Sequence, residues 1–201
     1  ASSFYNCKSE QSIILTHDGF NSSHIDLNGR NITGPLNGMI FYGDSNKILP
    51  ILPHHLSIGS LYQRVGLFLS LGGFGAAGKL MGLAPYGKPV FFNRDMVGNT
   101  FDMHSKGFTN PKEDWLKYCL RSAISKGYDL DPIGNTNRIL EPICVDIAAS
   151  TQKLFEETLL YAVNCISEMC LNSQISIDTL CYAGGTGLNC PANSTLLEKS
   201  A

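Results

Sequence analysis

The sequence predicts a mixed α/β or α+β fold, and three observations carry that expectation. Short apolar runs bounded by turn residues alternate with longer segments of helical period. A β-hairpin pattern lies near the start of the chain. Near its end, the run Leu180-Cys-Tyr-Ala-Gly-Gly-Thr-Gly-Leu-Asn189-Cys-Pro-Ala-Asn193 passes from a strand pattern through a double glycine into a helix start. Such a turn opens the backbone to close approach and aims unpaired N–H groups at whatever lies above it. By itself it could equally be a tight turn with no ligand.

In chain order, Ser12-Ile-Ile-Leu-Thr16 has the character of a short buried strand ending at the turn signal Asp18-Gly19. Gly38–Tyr42 and Lys47–Ile51 flank Gly43-Asp-Ser-Asn46 as a hairpin, so residues 12–52 form a strand-and-hairpin unit. From Leu56 to Leu71, Ile58, Leu61, Tyr62, Val65 and Leu69 fall on one helix face. Gly72, Gly73, Gly75 and Gly78 then interrupt the period, and Pro85 and Pro89 keep the rest of 56–89 irregular. Residues 90–110 carry little period and are expected to be a loop or small insertion. Pro111–Lys126 should be a helix, with proline at its start and acidic residues in its first turns. The longest helix is expected over Asp146–Cys170, its stripe formed by Ile147, Leu154, Phe155, Leu159, Ala162, Val163, Ile166 and Met169. A strand over Ile175–Tyr182, the glycine turn and a helix from Pro191 complete the stretch 111–201.

At 201 residues the chain is long enough to bury a core, and 43% hydrophobic with 16% charged residues is an ordinary globular balance. A formal charge of −2 provides no basic field for nucleic acid, and no cationic patch or spanning apolar run points to a membrane. Seven cysteines, without a Cys-x-x-Cys pair, fit neither a disulfide framework nor a zinc site. They are expected to be reduced, mostly buried thiols of a cytoplasmic protein. The first residue is not methionine and the last six continue a helical pattern, so the chain reads as an internal piece of a longer protein.

Three groups of residues could carry chemistry. Asp18, with Gly19 beside it, could hold a metal or metal-bound water near phosphates, although Asp-Gly is also a common turn. His17 should point to the other face of the strand, so burial and site membership weigh equally. His54 and His55 are adjacent and lack a third ligand at metal-site spacing, which favours loop histidines near a helix start. In Gly78-Lys-Leu-Met-Gly-Leu-Ala-Pro-Tyr-Gly87, Lys79 is framed by glycines and followed by a rigid turn, which suits a cation held over an anion. A surface loop would have the same composition, and the spacing is not that of a Walker phosphate loop.

Taken together these segments resemble the carbamoyltransferase family that includes nodulation and antibiotic O-carbamoyltransferases. Leu15-Thr-His-Asp-Gly19 resembles the family's Thr-Ile-Asp-Gly strand end, and Pro53-His-His-Leu-Ser-Ile-Gly-Ser-Leu-Tyr62 a second motif. Lys79–Gly87 resembles its signature, and Ala1–Tyr5, Asp146–Gln152 and Ala183–Asn193 fall in family order. The resemblance implies an incomplete nucleotide-binding fold of the actin, sugar-kinase and Hsp70 (ribonuclease H-like) type. It implies transfer of a carbamoyl group from carbamoyl-adenylate, made from carbamoyl phosphate and ATP in a separate C-terminal domain, to a hydroxyl or amine of a small-molecule acceptor. Asp18 and Lys79 would be catalytic, and Gly19, Gly184, Gly185 and Asn189 would hold the nucleotide. A divalent metal, iron or magnesium, would take its histidine ligands from before residue 1 and an aspartate from beyond residue 201. The chain departs from the pattern at Gly75-Ala-Ala-Gly78, which stands where an acidic residue is usual, and at Phe20-Asn-Ser-Ser-His24 after the Asp-Gly pair. The piece alone is therefore expected to be inactive. The alternatives are a small-molecule kinase or a non-catalytic nucleotide-binding module of the same fold.

Overall fold

The structure, a computed structural model, describes residues 2–7, 9–27, 30–45, 47–103 and 111–199. A sheet in the order β3-β2-β1-β4 organises them. Strands β1 (Gln11–Leu27), β2 (Arg30–Asp44) and β3 (Lys47–His54) form an antiparallel meander, and β4 (Thr179–Ala183) lies parallel to β1. The chain is thus α/β with a mixed sheet. The hairpin expected at Gly43–Asn46 forms, with Asp44 opposite Lys47 and Ser45 in the left-handed region at φ 46°.

Alternation along β1 divides the two faces of the sheet. Ile13 and Leu15, with Ile40 of β2, enter the main core, while Ile14 packs on the other face with Phe4 and Cys181. Phe4 belongs to the short helix α1 (Ser2–Asn6). The main core is closed by α2 (Ile58–Phe68), α3 (Ala76–Leu83), α4 (Pro111–Ser125), α5 (Pro142–Asn172) and α6 (Cys190–Lys199). All five apolar positions assigned to the face of α2 are buried.

The 31-residue α5 starts four residues earlier than the apolar stripe suggests, with proline in its first turn. Its N-terminal half is buried on several sides, and its polar side chains there fasten neighbouring segments. Asp146 accepts from the Lys88 N–H at 2.7 Å and from the Tyr128 hydroxyl at 2.6 Å. Ser150 Oγ accepts from the Phe91 N–H, and Thr151 Oγ1 from the indole of the fully buried Trp115, each at 3.0 Å. Fixing backbone donors with side-chain oxygens lets an irregular segment cross a buried surface without stranding polar groups.

Two expectations are corrected and a third gains detail. The first strand does not stop at Asp18-Gly19: β1 continues to Leu27, with register shifts between His17 and His24. The glycine-rich stretch around Lys79 is helix α3, not a loop. Residues 90–103 lack regular secondary structure apart from a 3₁₀ turn at Arg94–Met96, yet Phe91, Met96, Phe101 and Met103 are core residues. Residues 104–110 of the expected insertion lie outside the described residues.

Candidate functional site

The parallel pairing of β1 with β4 runs from Ser12↔Thr179 to Thr16↔Ala183, so both strands deliver their following residues to one edge. Beyond Ala183 the chain enters a 3₁₀ turn, Gly185–Leu188, and then α6. Gly184 makes the turn at φ 104°, ψ 176°, a conformation essentially reserved for glycine. A Cβ there would lie 2.1 Å from the carbonyl oxygen of His17, so the residue is confined by space as well as by dihedral. A second close approach comes from α2. A Cβ on Gly59 would lie 2.5 Å from the Thr186 methyl and 3.1 Å from both Asp18 O and Gly19 N.

These approaches bring Asp18 against the turn. Its Oδ1 accepts from the Gly19 N–H at 2.6 Å and its Oδ2 from the Gly185 N–H at 3.3 Å. Asp18 is exposed, so one solvent-facing point carries a carboxylate and two backbone donors. Thr186 ties the turn down: its hydroxyl donates to His17 O at 2.7 Å and accepts from the Tyr182 hydroxyl at 2.6 Å.

Of the residues singled out in the sequence, Asp18, Gly19, Gly184 and Gly185 come together. Asn189 lies just beyond the turn, buried, with its amide committed internally. It exchanges two 3.1 Å hydrogen bonds with the Gln152 amide, and its Oδ1 also accepts from the Ala192 N–H at 3.1 Å. The last contact is an N-cap of α6. Tyr62 of α2 donates its hydroxyl to Gln152 Oε1, which joins α2, α5 and α6 behind the turn. Burial pushes the Tyr62 phenol up, keeping it protonated as that donor. Asn189 therefore has the geometry of a positioning residue. Lys79 is exposed on α3 beside Gly72, and among the described residues no hydrogen bond or ion pair joins it to Asp18 or the turn.

His17 points away from Asp18 and is fully buried. Its Nε2 donates to Leu56 O at 2.9 Å, while His54 Nε2 donates to Thr16 O at 2.9 Å. Carbonyls only accept, so both rings carry their proton on Nε2. The two rings meet edge to face with centroids 5.2 Å apart, and neither Nδ1 has a partner. Burial, reinforced by His54 and opposed by the bond to Leu56, lowers His17 to about 3, and burial lowers His54 as well. The pair is thus a neutral strut under the site. His54 ends β3 and is not a loop residue. Gly59, Tyr62, Gln152 and Thr186 escaped the sequence analysis as site residues. All four lie inside segments that carry the family resemblance, yet nothing in their local spacing sets them apart from their neighbours.

Comparison with known proteins decides the family, for a carbamoyltransferase N-terminus model matches residues 11–201. The chain belongs to the carbamoyltransferase N-terminal family. Relatives in this family range include the uncharacterized protein sll1178 of Synechocystis, 30% identical over 166 residues that cover 80% of this chain and 26% of the relative. The nodulation protein NolNO of Sinorhizobium fredii is 28% identical over 191 residues, 94% of this chain and 24% of its own length. The nodulation protein NolO of Bradyrhizobium diazoefficiens is 26% identical over 164 residues, 81% of this chain and 27% of its own. The chain thus spans about a quarter of the length of these relatives. Among the described residues no helix is long and apolar enough to cross a membrane, and no three His, Cys, Asp or Glu side chains gather as a metal centre.

Proposed function

We propose that this chain is part of the carbamoyl-transferring domain of a carbamoyltransferase. The full protein would move a carbamoyl group from carbamoyl-adenylate to a hydroxyl or amine of a small molecule. Family membership supports the chemistry. The observation that carries the placement is the meeting of the Asp18 carboxylate with the Gly19 and Gly185 N–H groups at one exposed point. The sheet order β3-β2-β1-β4, an antiparallel meander with β4 parallel to β1, supports an actin-type nucleotide-binding fold.

Two backbone donors already gathered around an oxyanion fit an anionic oxygen of a nucleotide, with Gly19, Gly184 and Gly185 as the cradle. When bound, carbamoyl-adenylate supplies an activated carbonyl and an adenylate leaving group. The chain's own residues hold the site ready. Gly185 N–H is a backbone donor held at the exposed point by its turn, and reaching a ligand oxygen requires only that Asp18 Oδ2 release it. Asp18 yields that donor to a ligand oxygen and keeps the locality negative for a cationic companion. Gln152, Tyr62 and Asn189 brace the turn against α2 and α5, and the buried His17–His54 pair lies beneath it. Lys79, on the exposed face of α3, is assigned to charge compensation once ligand bridges the gap to the turn. The described residues offer a metal only Asp18 at this point, so no step here runs through one.

The test has two parts. The chain is titrated calorimetrically with magnesium-ADP beside Asp18→Ala and Gly185→Val, and binding should be lost in Gly185→Val. The full-length protein is then given ATP and carbamoyl phosphate. Release of pyrophosphate supports carbamoyl-adenylate formation, whereas ADP as the product would favour a kinase and overturn the proposal. Equal nucleotide binding by parent and Gly185→Val would overturn the placement.

A further inference from the structure

The second face of the sheet carries a pair of thiols that the site does not use. Cys7 follows α1, and Cys181 sits in the middle of β4, opposite Ile14 of β1. Both sulfurs reach the same turn of α1: Cys7 donates to Phe4 O at 2.9 Å, and Cys181 to the preceding carbonyl, Ser3 O, at 3.8 Å. Cys7 packs on the small cluster formed by Phe4, Ile14 and Cys181, and its sulfur lies 3.7 Å from Ser12 Oγ. The two sulfurs therefore lie on adjacent carbonyls of one helical turn, with Cys7 packed against the cluster to which Cys181 belongs. Cys7 is half-buried, within reach of small solutes, while Cys181 is almost wholly covered.

We propose that Cys7 and Cys181 form a redox pair, in which peroxide oxidises Cys7 and Cys181 resolves it as an intramolecular disulfide. The division of labour follows from the surroundings. The Ser9 N–H, with the Ser12 hydroxyl, favours the Cys7 thiolate against the opposing effect of burial, whereas burial holds Cys181 as a thiol, raised to about 11. In the first step the Cys7 thiolate attacks one oxygen of hydrogen peroxide. An S–O bond forms, the O–O bond breaks, hydroxide leaves, and sulfur loses the two electrons that peroxide gains. In the second step the Cys181 sulfur displaces hydroxide from the Cys7 sulfenic acid, and its proton leaves with that hydroxide as water. Two thiols and one peroxide thus give one disulfide and two waters. The bridge would pin α1 to β4 two residues before Ala183, the last residue ahead of the glycine turn. The inference does not depend on what the turn binds.

The experiment is peptide mapping of the folded chain after brief exposure to hydrogen peroxide. Free thiols are blocked with N-ethylmaleimide, and digestion uses trypsin together with an Asp-specific protease under non-reducing conditions. Cys7 should be recovered linked to Cys181, two hydrogens lighter than the separate peptides and released by dithiothreitol. Fragmentation assigns the bond to Cys181 over Cys190. Cys181→Ser should instead leave Cys7 as a sulfenic acid, trapped by dimedone in several-fold greater yield than in the parent. Cys7→Ala should abolish both products while keeping the far-ultraviolet dichroism of the parent. Iodoacetamide should alkylate Cys7 several-fold faster than the exposed Cys190. Oxidation of Cys190 with Cys7 still fully alkylatable would overturn the proposal. So would a Cys7–Cys181 link that appears only after the chain is denatured.

Discussion

Replacing Gly184 by alanine should destabilise this protein severely, and two additive costs set the size. At φ 104°, ψ 176° the backbone lies in a region that residues with a Cβ avoid. Holding a side chain there costs roughly 1–3 kcal/mol. The added methyl would also stand 2.1 Å from His17 O and 2.7 Å from its carbonyl carbon, far inside contact distance. Those atoms are backbone of β1, so relief requires moving a central strand, an overpacking cost of about 1–3 kcal/mol. The sum, roughly 2–6 kcal/mol, corresponds to a fall in Tm of about 5–20 °C for a chain of this size.

The control is Gly78→Ala. Gly78 lies inside α3, and a Cβ there meets nothing within 4 Å. Alanine should be favoured over glycine in that helix by about 0.5–1 kcal/mol, raising Tm by a few degrees. The two substitutions add the same methyl and are expected to shift stability in opposite directions. Thermal unfolding followed by circular dichroism, with urea unfolding as a check, reads both. Gly184→Ala melting within about 2 °C of the parent would refute the tight approach of the turn to β1.

Further predictions concern the strut, the cap and the core. A buried neutral histidine lowered to about 3 takes up no proton at pH 5, whereas the unfolded chain does. Stability should therefore fall as pH drops from about 6.5 toward 3, with His17 contributing about 2 kcal/mol of that loss by pH 5. His17→Gln, which keeps a donor for Leu56 O, should flatten this slope by that amount, and an unchanged slope in urea midpoints would count against it. Asn189→Ala strands the buried Ala192 N–H and removes both bonds to Gln152, whose amide keeps Tyr62 and Glu156 as partners, at about 1–3 kcal/mol by urea unfolding with unchanged m. A loss under about 0.5 kcal/mol would show that Asn189 does not brace the turn. Trp115, the one tryptophan, is fully buried, so native fluorescence should be blue-shifted and move to the red in one step on unfolding. Water-like emission from the native chain would displace α4 from the core.

What could be read in advance was whatever depends on local period. Helix α2 was legible because Ile58, Leu61, Tyr62, Val65 and Leu69 repeat at helical spacing and all are buried. Helix α3 was not, because Gly78 and Gly82 remove its propensity. It is held from outside by Gln63, whose amide donates to Gly73 O at 2.8 Å and accepts from the Ala77 N–H at 3.3 Å, and by the burial of Ala76, Leu80 and Leu83. The extension of β1 past Gly19 was equally hidden, since its hydrogen bonds come from β2 and its sequence lacks alternation. At the site, Asp18 and the glycine turn were each visible alone. Asn189 attracted attention for standing beside the turn, though its place at the start of α6 assigns its oxygen to the Ala192 N–H.

The meeting of Asp18 with Gly185 follows from the register of two strands. Pairing of Thr16 with Ala183 carries forward to place Asp18 level with Gly185, at the sequence separation of 167 found in their hydrogen bond. A shift of β1 by one residue would turn Ile13 and Leu15 out of the main core and Ile14 into it. Three fully or almost fully buried side chains would then face the wrong layer, a cost of several kcal/mol at about 1.5–3 kcal/mol each. The same slip would move the carboxylate off the Gly185 N–H. The apolar alternation of β1 therefore fixes the core and the site together. Because the parallel pairing ends at Thr16 and Ala183, with the chains still side by side, two functional residues so far apart in sequence need no loop of their own to find each other.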